Sequence, residues 1–356
     1  MDLKNISDNE YVGVIGAGSF GLVIATILSE NSNVLIYARR QEVVDEINQK
    51  RHFNGIDLGE NITAISDLEM LASKCRVIFP IVPSSNFREM MRELAPFLYP
   101  YHIMIHGTKG LDHSGGMAEG EGSVLYANKK FTRDNVKTMS EVIKEESSVV
   151  RIGCLSGPNL AKELADKQPA ATVVASSFDE VILEGQRLLR NDRFMVYGSK
   201  DLIGVELTGV LKNILAIASG MLSGLGYGEN AKGLLISRGL VEMIYVGKVL
   251  GGNMEAFIGL AGIGDIVTTC SSKLSRNYTV GYRLAQGESV QEIIGTMDEV
   301  AEGVNTIEIV KHLAENYPIR VPITEALYKV IKGERSVADA LKLLMKLPFY
   351  KDIDFM

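Results

Sequence analysis

The segment Tyr11-Val-Gly-Val-Ile15, followed at once by Gly16-Ala-Gly-Ser-Phe-Gly21, determines the fold that we expect for the first half of the chain. The apolar run predicts a buried strand, and residues 22–29 predict a helix that starts at the glycines. Asn33-Val-Leu-Ile-Tyr-Ala38 predicts a second strand. A strand, a glycine turn, a helix and a second strand together form a βαβ unit, and in this context Gly-x-Gly-x-x-Gly indicates dinucleotide binding.

Each glycine of this turn has its own structural role. Gly16 permits the tight turn, Gly18 lets backbone N–H groups approach a pyrophosphate, and Gly21 allows close packing of the helix. The helix N-terminus adds a positive potential that favours the pyrophosphate. A glycine-rich turn with a purely structural role is the alternative, but the context favours a nicotinamide dinucleotide.

Two arginines, Arg39 and Arg40, follow the second strand, where an NAD-selective protein commonly has an acidic residue for the ribose 2′-hydroxyl. A guanidinium group matches a 2′-phosphate in charge and in geometry. The sequence therefore predicts NADP(H) in preference to NAD(H). The alternative is that one arginine is solvated and the other pairs with a carboxylate such as Glu42.

Strand and helix patterns alternate in the first part of the chain and give way to helical patterns after residue 200. The further strands that we predict are 76–82, 102–106, 151–155 and 171–175, with helices at 43–50, 87–97 and 181–189 and, later, at 201–224, 229–251, 289–295, 303–316 and 323–332. The predicted fold is an α/β Rossmann-like, doubly wound parallel sheet domain over residues 1–199, followed by an all-α C-terminal domain over residues 200–356. Residues 114–135, rich in Gly, Ser, Lys and Asn, are predicted to be an exposed insertion in the first domain.

Composition limits the classes of protein that fit. Hydrophobic residues make up 46% of the 356 residues and charged residues 23%, as in an ordinary globular protein with room for two domains. The net charge of -7 argues against a broadly basic nucleic-acid surface, and no run of about 18 uncharged apolar residues predicts a membrane span. Cys75, Cys154 and Cys270 are too few and too far apart for a disulfide framework or a metal site. We expect a cytoplasmic protein that binds small molecules and no metal.

Lys212 is the residue whose position most needs a chemical reason. Between residues 202 and 227 only Glu206 and Lys212 are charged, and apolar side chains lie on every side of the helix, which indicates burial. A buried lysine needs an acidic partner or a role in proton transfer, and a lysine that extends to solvent is the alternative. Asp265, the only charge in the glycine-rich segment 259–270, is the predicted partner, with a helix N-cap as its alternative role.

Polar groups suited to a phosphorylated ligand follow two predicted strands and one loop. Lys109 and Gly157 come just after strands, at the edge where open α/β sheets bind ligands. Ser275-Arg-Asn277 holds an arginine between two short polar side chains, which suits a phosphate. Taken alone, Ser156-Gly-Pro-Asn159 is more often a plain turn, and Ser275-Arg-Asn277 a loop or a helix cap.

In their order along the chain, these motifs resemble those of NAD(P)-dependent glycerol-3-phosphate dehydrogenases of the bacterial type. The resemblance covers nearly the whole chain and rests on Gly16-Ala-Gly-Ser-Phe-Gly21, Val82-Pro-Ser84, Gly107-Thr-Lys-Gly-Leu111, Leu155-Ser-Gly-Pro158, Ala161-Lys-Glu163, Val205-Glu-Leu207, Leu211-Lys-Asn213, Gly259-Leu-Ala-Gly-Ile-Gly-Asp265, Ser275-Arg-Asn277 and Glu302-Gly303. It implies the reversible reduction of dihydroxyacetone phosphate to sn-glycerol 3-phosphate, which supplies glycerophospholipid synthesis. A homodimer is expected from the resemblance alone.

The resemblance also implies a role for each matching residue. Lys212 matches the family's proton donor and acceptor, and Asp265 is expected to orient it. The substrate positions are matched by Lys109, Gly157, Asn159, Lys212, Asp265, Ser275, Arg276 and Asn277. The cofactor positions are matched by Gly16, Gly18, Ser19, Phe20, Gly21, Arg39, Arg40, Lys109, Ala161, Arg276, Val300 and Glu302.

Three features depart from the family pattern. Phe20 stands for the tryptophan common in the glycine turn, Asn159 stands for a Thr or Ser, and the 114–135 insertion is longer than the usual loop. Two other functions stay open at this point. One is another two-domain NADP-dependent reductase for a hydroxy acid or a ketopantoate-like compound. The other is a non-catalytic protein that senses NADPH, although a sensor needs neither Lys212 nor Asp265.

Overall fold

The computed structural model describes residues 11–113, 131–297 and 301–346. Its strands, in chain order, are β1 (Tyr11–Ile15), β2 (Asn33–Tyr37), β3 (His52–Phe53), β4 (Ile56–Asp57), β5 (Ile62–Ile65), β6 (Cys75–Pro80), β7 (Ile103–His106), β8 (Asp112–His113), β9 (Val136–Lys137), β10 (Arg151–Ser156), β11 (Ala170–Ser176) and β12 (Phe194–Ser199). Its α-helices are α1 (Ser19–Leu28), α2 (Gln41–Lys50), α3 (Leu68–Lys74), α4 (Ser84–Leu94), α5 (Met139–Glu146), α6 (Ala161–Ala165), α7 (Asp179–Leu189), α8 (Leu202–Gly224), α9 (Glu229–Leu250), α10 (Met254–Ile258), α11 (Asp265–Ser271), α12 (Arg276–Ala285), α13 (Val290–Gly295), α14 (Glu302–Ala314), α15 (Pro322–Ile331) and α16 (Val337–Leu344). A 3₁₀ turn (Ala95–Phe97) follows α4, and a π-helix (Leu260–Gly264) precedes α11.

Eight strands form one sheet in the order β12-β11-β10-β7-β6-β1-β2-β5. Neighbouring strands are parallel except for β10 and β11. The predicted doubly wound, mostly parallel sheet followed by helices is therefore confirmed. Because β1, β2, β6, β7 and β10 run in one direction, their carboxyl ends lie at the same edge of the sheet, where ligands bind in this class of fold.

Helices cover both faces of this sheet. Val14 of β1 packs in one apolar cluster with Leu22 of α1, whereas its neighbour Ile15 packs in a second cluster with Leu71 of α3 and Phe87 of α4. Successive side chains of a strand point to opposite faces, so β1 contributes to both clusters. The continuous apolar run that predicts β1 is the consequence, since a parallel sheet is buried on both sides.

Two strands of the sheet, β5 and β12, are missing from the sequence prediction. β5 has four residues, which is too short for a clear pattern. β12 lies at the edge of the sheet, where Met195 and Tyr197 are exposed and Phe194 and Val196 are buried. Apolar residues on both faces hide the alternation that marks a half-exposed strand.

Backbone proximity divides the described residues into two units. The sheet unit consists of residues 11–109 and 139–202, and the helical unit consists of residues 110–113, 131–138, 203–297 and 301–346. Phe131 accounts for the placement of 131–138 in the helical unit, because its ring is buried and stacks on His312 of α14 with centroids 5.3 Å apart. Asn316 also donates a hydrogen bond to the Phe131 carbonyl. Most of the predicted 114–135 insertion, residues 114–130, lies outside the described residues.

Helix α8 is the core of the helical unit. By length and composition it could cross a membrane, but 89% of its most apolar stretch is buried inside the protein. Interior helices of globular proteins share this property. The predicted burial of this helix is confirmed.

Candidate active site

The glycine turn has the geometry that a dinucleotide-binding turn needs. Gly16 has a φ of +116°, in the region that favours glycine, and its N–H donates to the Tyr37 carbonyl at the end of β2. A Cβ atom on Gly21 would lie 1.9 Å from the Gly16 carbonyl oxygen, so a side chain is excluded there. Gly18 is the N-cap of α1, and a Cβ atom on it would have no heavy atom within 4 Å. Gly16 and Gly21 therefore shape the turn, and Gly18 leaves the start of the helix open to a ligand.

A cavity of about 500 Å³ lies beside this turn, and both Arg39 and Arg40 line it. Both arginines are exposed, and neither forms an ion pair with any residue that the structure describes. Asn86, Glu89 and Glu93 of α4 also line the cavity. The cavity is therefore lined by two cations and two carboxylates.

Three other predicted cofactor residues lie in or near the same turn. Ser19 is the first residue of α1, and Phe20 follows it. Phe20 and Ala161, the first residue of α6, are partly buried against the same apolar cluster of the sheet unit. A Cβ atom on Gly107 would lie 3.2 Å from the Phe20 ring, so the aromatic ring packs on the backbone that follows β7.

Lys109 and Gly157 lie together after β7 and β10. The Lys109 ammonium group donates to the Gly157 carbonyl oxygen, with a distance of 3.1 Å. The Asn159 amide donates to the Ala171 carbonyl at 3.0 Å and accepts from the Thr172 hydroxyl at 2.9 Å. Asn159 therefore links the end of β10 to β11, and any contact with substrate would add to this structural role.

Lys212, Asp265 and Thr269 form a compact buried group in the helical unit. The Lys212 Nζ lies 2.5 Å from Asp265 Oδ1 and 2.6 Å from Thr269 Oγ1, and Thr269 Oγ1 lies 3.0 Å from the same Asp265 oxygen. The side chain of Lys212 is 8% exposed and that of Asp265 is 2% exposed. Lys212 therefore does not extend to solvent, and the carboxylate offsets the hydration that its ammonium group loses.

The glycine-rich segment before α11 directs Asp265 toward this group. The chain forms a π-helix over Leu260–Gly264, and a Cβ atom on Gly262 would lie 2.0 Å from the Phe257 carbonyl oxygen. Asp265 is the first residue of α11, and the N-cap position belongs to Gly264. Asp265 is therefore a partner of Lys212 and not the N-cap that the sequence left open.

Ser275, Arg276 and Asn277 lie at the start of α12. Ser275 is the N-cap of α12, and its hydroxyl oxygen accepts a hydrogen bond from the Tyr278 N–H. The helix cap, which the sequence left open as an alternative, is therefore the role of this hydroxyl in the structure. Arg276 is exposed, whereas Asn277 is buried and accepts a hydrogen bond from the Gly303 N–H. A guanidinium group at a helix start adds its charge to the positive end of the helix, which favours an anion.

The structure thus assembles the predicted residues in separate groups. The sheet unit holds Gly16, Gly18, Ser19, Phe20, Gly21, Arg39, Arg40, Lys109, Gly157, Asn159 and Ala161, and the helical unit holds Lys212, Asp265, Ser275, Arg276, Asn277 and Glu302. Glu302 is the first residue of α14, and Val300 lies outside the described residues. Thr269 is absent from the sequence prediction, although its spacing of four residues from Asp265 on one helix could have indicated a shared face.

The thiols are unsuited to nucleophilic chemistry. Cys75, Cys154 and Cys270 are buried and free. Burial raises the pKa of the Cys75 thiol and of the Cys270 thiol to about 12, so both stay protonated at neutral pH. Among the described residues, no group of three His, Cys, Asp or Glu side chains could hold a metal ion.

Known proteins are similar to this chain over most of its length. The family model for the N-terminus of NAD-dependent glycerol-3-phosphate dehydrogenase matches residues 11–182, and the model for its C-terminus matches residues 201–342. Glycerol-3-phosphate dehydrogenase (NAD(P)+) from Ectopseudomonas mendocina (strain ymp) is 39% identical over 350 residues, which cover 97% of this chain and 97% of the relative. The crystal structure of glycerol-3-phosphate dehydrogenase from Coxiella burnetii is 30% identical with a TM-score of 0.83 and covers 96% of this chain and 100% of that chain. A ketopantoate reductase from Ralstonia eutropha JMP134, at 12% identity and a TM-score of 0.54 over 93% of this chain and 99% of that chain, shares the fold alone.

Proposed function

The chain belongs to the NAD-dependent glycerol-3-phosphate dehydrogenase family, and we propose specific roles for its residues in the reversible reduction of dihydroxyacetone phosphate to sn-glycerol 3-phosphate. The observation that carries these roles is the buried group of Lys212, Asp265 and Thr269. A protein that only senses the cofactor has no use for a lysine held inside an apolar helix. A carbonyl reductase needs a proton at a fixed point, and this group supplies it.

Lys212 is the proton donor of the reduction. When bound, the reduced nicotinamide supplies the hydride for the substrate carbonyl carbon. The Lys212 ammonium group donates its proton to the carbonyl oxygen, which becomes the hydroxyl of the product, and the amine regains a proton from solvent. In the reverse direction the neutral amine accepts the hydroxyl proton.

Asp265 and Thr269 are positioning residues for this proton transfer. Two hydrogen bonds hold the Lys212 Nζ at 2.5 and 2.6 Å from their oxygens. The Asp265 carboxylate also stabilises the ammonium form inside the protein, so the donor carries its proton before the reaction begins. A fixed donor avoids reorganisation when the carbonyl oxygen gains charge.

We assign the substrate phosphate to the start of α12. Arg276 brings a guanidinium group and Asn277 an amide, and both lie at the positive end of the helix. Ser275 adds a hydroxyl that already caps the helix. Lys109, Gly157 and Asn159 remain predicted substrate residues of the sheet unit.

NADP(H) is the cofactor that we propose as preferred, with NAD(H) as the alternative. The residues fit a dinucleotide, because the turn leaves the start of α1 open and a side chain on Gly16 would strike the Ile81 carbonyl at 2.2 Å. Arg39 and Arg40 lie in the cavity without an ion pair among the described residues, which supports a 2′-phosphate as their partner. Glu89 and Glu93 line the same cavity and oppose this preference.

We also propose that the protein is cytoplasmic and forms a homodimer. The three buried free thiols support a reducing compartment. The dimer rests on the family resemblance. The product, sn-glycerol 3-phosphate, is proposed to supply glycerophospholipid synthesis.

A substrate panel tests the proposed function. We expect loss of NADPH absorbance when dihydroxyacetone phosphate is added, and no comparable loss with ketopantoate or a 2-oxo acid. The same assay with NADH is expected to give a kcat/KM lower by about tenfold, because one charge-assisted contact is missing. Turnover of ketopantoate alone contradicts the substrate, and equal or better use of NADH contradicts the cofactor preference.

A further inference from the structure

Gly303 lies where three helices of the helical unit meet. Its N–H, near the start of α14, donates to Oδ1 of Asn277 on α12, with a distance of 2.9 Å between the two atoms. A Cβ atom on Gly303 would lie 2.6 Å from this same oxygen and 2.9 Å from the carbonyl oxygen of Asn213 on α8. The backbone of α14 therefore approaches the Asn277 amide at a point where no side chain fits.

This contact replaces a missing helix cap. The first N–H groups of a helix have no acceptor inside the helix, and the N-cap residue of α14, Ala301, has no side-chain oxygen. Asn277 supplies the acceptor from a different helix. The partner of an N–H donor must be an acceptor, so the amide atom that faces Gly303 is the oxygen and not the nitrogen.

The orientation of the Asn277 amide has a chemical consequence. An amide carries its oxygen and its NH₂ group on opposite sides of one carbon, so holding the oxygen also fixes the direction of the NH₂ group. Asn277 is buried beside exposed Arg276, at the helix start that we assign to the phosphate. A phosphate dianion offers acceptors only. The NH₂ group attracts it, and the amide oxygen would repel it.

We propose that the Gly303 N–H is a positioning group that holds the Asn277 amide with its NH₂ group toward the substrate phosphate. This rests on the proposed function, in which Asn277 contacts the substrate. Glu302, a predicted cofactor residue, is the chain neighbour of Gly303, so the same hydrogen bond joins a predicted cofactor segment to a predicted substrate residue. The specificity for a phosphorylated ketone then depends on a backbone group as well as on charged side chains.

A double-mutant cycle of Gly303→Ala and Asn277→Ala tests the proposal. The new methyl group displaces the Asn277 oxygen, so Gly303→Ala is expected to raise the KM for dihydroxyacetone phosphate by about tenfold with kcat much less affected. In the Asn277→Ala background the contact with the amide oxygen is gone and only the contacts with Ile217 and the Asn213 carbonyl remain, so the same glycine substitution is expected to raise KM by less than about threefold. Gly295→Ala is the matched control, since a Cβ atom there has no heavy atom within 4 Å.

An equal effect of Gly303→Ala in both backgrounds, or an unchanged KM in the wild-type background, overturns the proposal. If Gly303→Ala does not fold, Asn277→Asp decides. The carboxylate still accepts from the Gly303 N–H but presents an oxygen in place of the NH₂ group, so we expect a protein that stays folded by circular dichroism, with a KM raised by at least about tenfold. A wild-type KM for Asn277→Asp contradicts the proposal. A wild-type protein inactive on dihydroxyacetone phosphate contradicts the proposed function itself.

Discussion

At the scale of the residue, Lys212 shows how a charged group is kept inside an apolar helix. Its ammonium group has a carboxylate and a hydroxyl within 2.6 Å, and the hydroxyl of Thr269 lies within hydrogen-bond distance of both charged partners. Removing one partner of a buried ion pair costs about 3–5 kcal/mol, whereas removing the hydroxyl leaves the pair intact. Thr269 is therefore the member of the group whose substitution best separates positioning from stability.

Thr269→Val keeps the shape of the side chain and removes its hydrogen bonds. We expect kcat for dihydroxyacetone phosphate to fall by about tenfold, because Lys212 loses one of the two contacts that hold Nζ in place. Thr269→Ser, which restores the hydroxyl, is expected to recover most of the activity. The measurement is steady-state kinetics with NADPH in excess. Wild-type kcat in the valine variant would contradict a role of the hydroxyl, and equal loss in the serine and valine variants would show that the hydroxyl alone is not sufficient.

At the scale of the element, Glu242 connects two helices of the helical unit. It lies on α9, and its carboxyl group accepts hydrogen bonds from the N–H groups of Ile323 and Thr324, both at 2.9 Å, and from the Thr324 hydroxyl. These N–H groups belong to the first turn of α15, where the helix itself offers no acceptor. Burial raises the pKa of Glu242 from 4.5 to about 7. The hydrogen bonds lower the pKa, but their effect is smaller than that of burial.

This raised pKa predicts a pH dependence of stability. The folded protein binds a proton at Glu242 that the unfolded chain releases above pH 4.5, so the contribution to stability is present below that pH and is lost as the pH rises through about 7. The shift corresponds to about 3 kcal/mol at most. We expect Glu242→Gln to flatten the change of thermal midpoint between these pH values, measured by circular dichroism. The exposed Glu334→Gln is the control, and a slope equal to that of the wild type in Glu242→Gln contradicts the assignment.

The elements also show what the sequence patterns could predict. The buried strands β1, β2, β6, β7, β10 and β11 and the long helices have clear apolar patterns, so local sequence is enough to find them, whereas the short β5 and the edge strand β12 lack such a pattern. The glycines at 259, 262 and 264 favour a loop by composition, yet the chain forms a π-helix there and continues into α11. The backbone of Gly262 lies so close to that of Phe257 that a side chain is excluded, and such a contact is not visible in a pattern of apolar residues.

At the scale of the whole molecule, two units of different class carry the predicted residues. Local patterns predict a change from sheet to helices near residue 200, and the described residues agree. Local patterns do not predict that residues 131–138 pack with the helical unit, because the contact of Phe131 with His312 joins residues far apart in sequence. The same reason explains why the contact between Gly303 and Asn277 could be recognised only in the structure.

The site residues also differ in whether sequence alone can identify them. Lys212 and Asp265 could be selected from sequence because a charge in an apolar segment needs a reason. Thr269 carries no such signal, since a threonine in a helix is common, and only the fold places its hydroxyl beside Nζ. Sequence therefore identifies the charged members of the group and leaves the neutral ones to the structure.

The proposed proton donor in the reduction of dihydroxyacetone phosphate is Lys212. Because Lys212→Met alone leaves the Asp265 carboxylate buried without its cation, the double variant Lys212→Met with Asp265→Asn serves as the control for folding. Circular dichroism of both variants checks that the helical unit is formed.

The most direct measurement is the loss of NADPH absorbance in the presence of dihydroxyacetone phosphate, for the wild type and for Lys212→Met. We expect rapid loss with the wild type and a kcat lower by about 10²- to 10⁴-fold in the variant, with NADPH bound as tightly as before. A folded Lys212→Met protein that turns over substrate at close to the wild-type rate would show that Lys212 is not the proton donor.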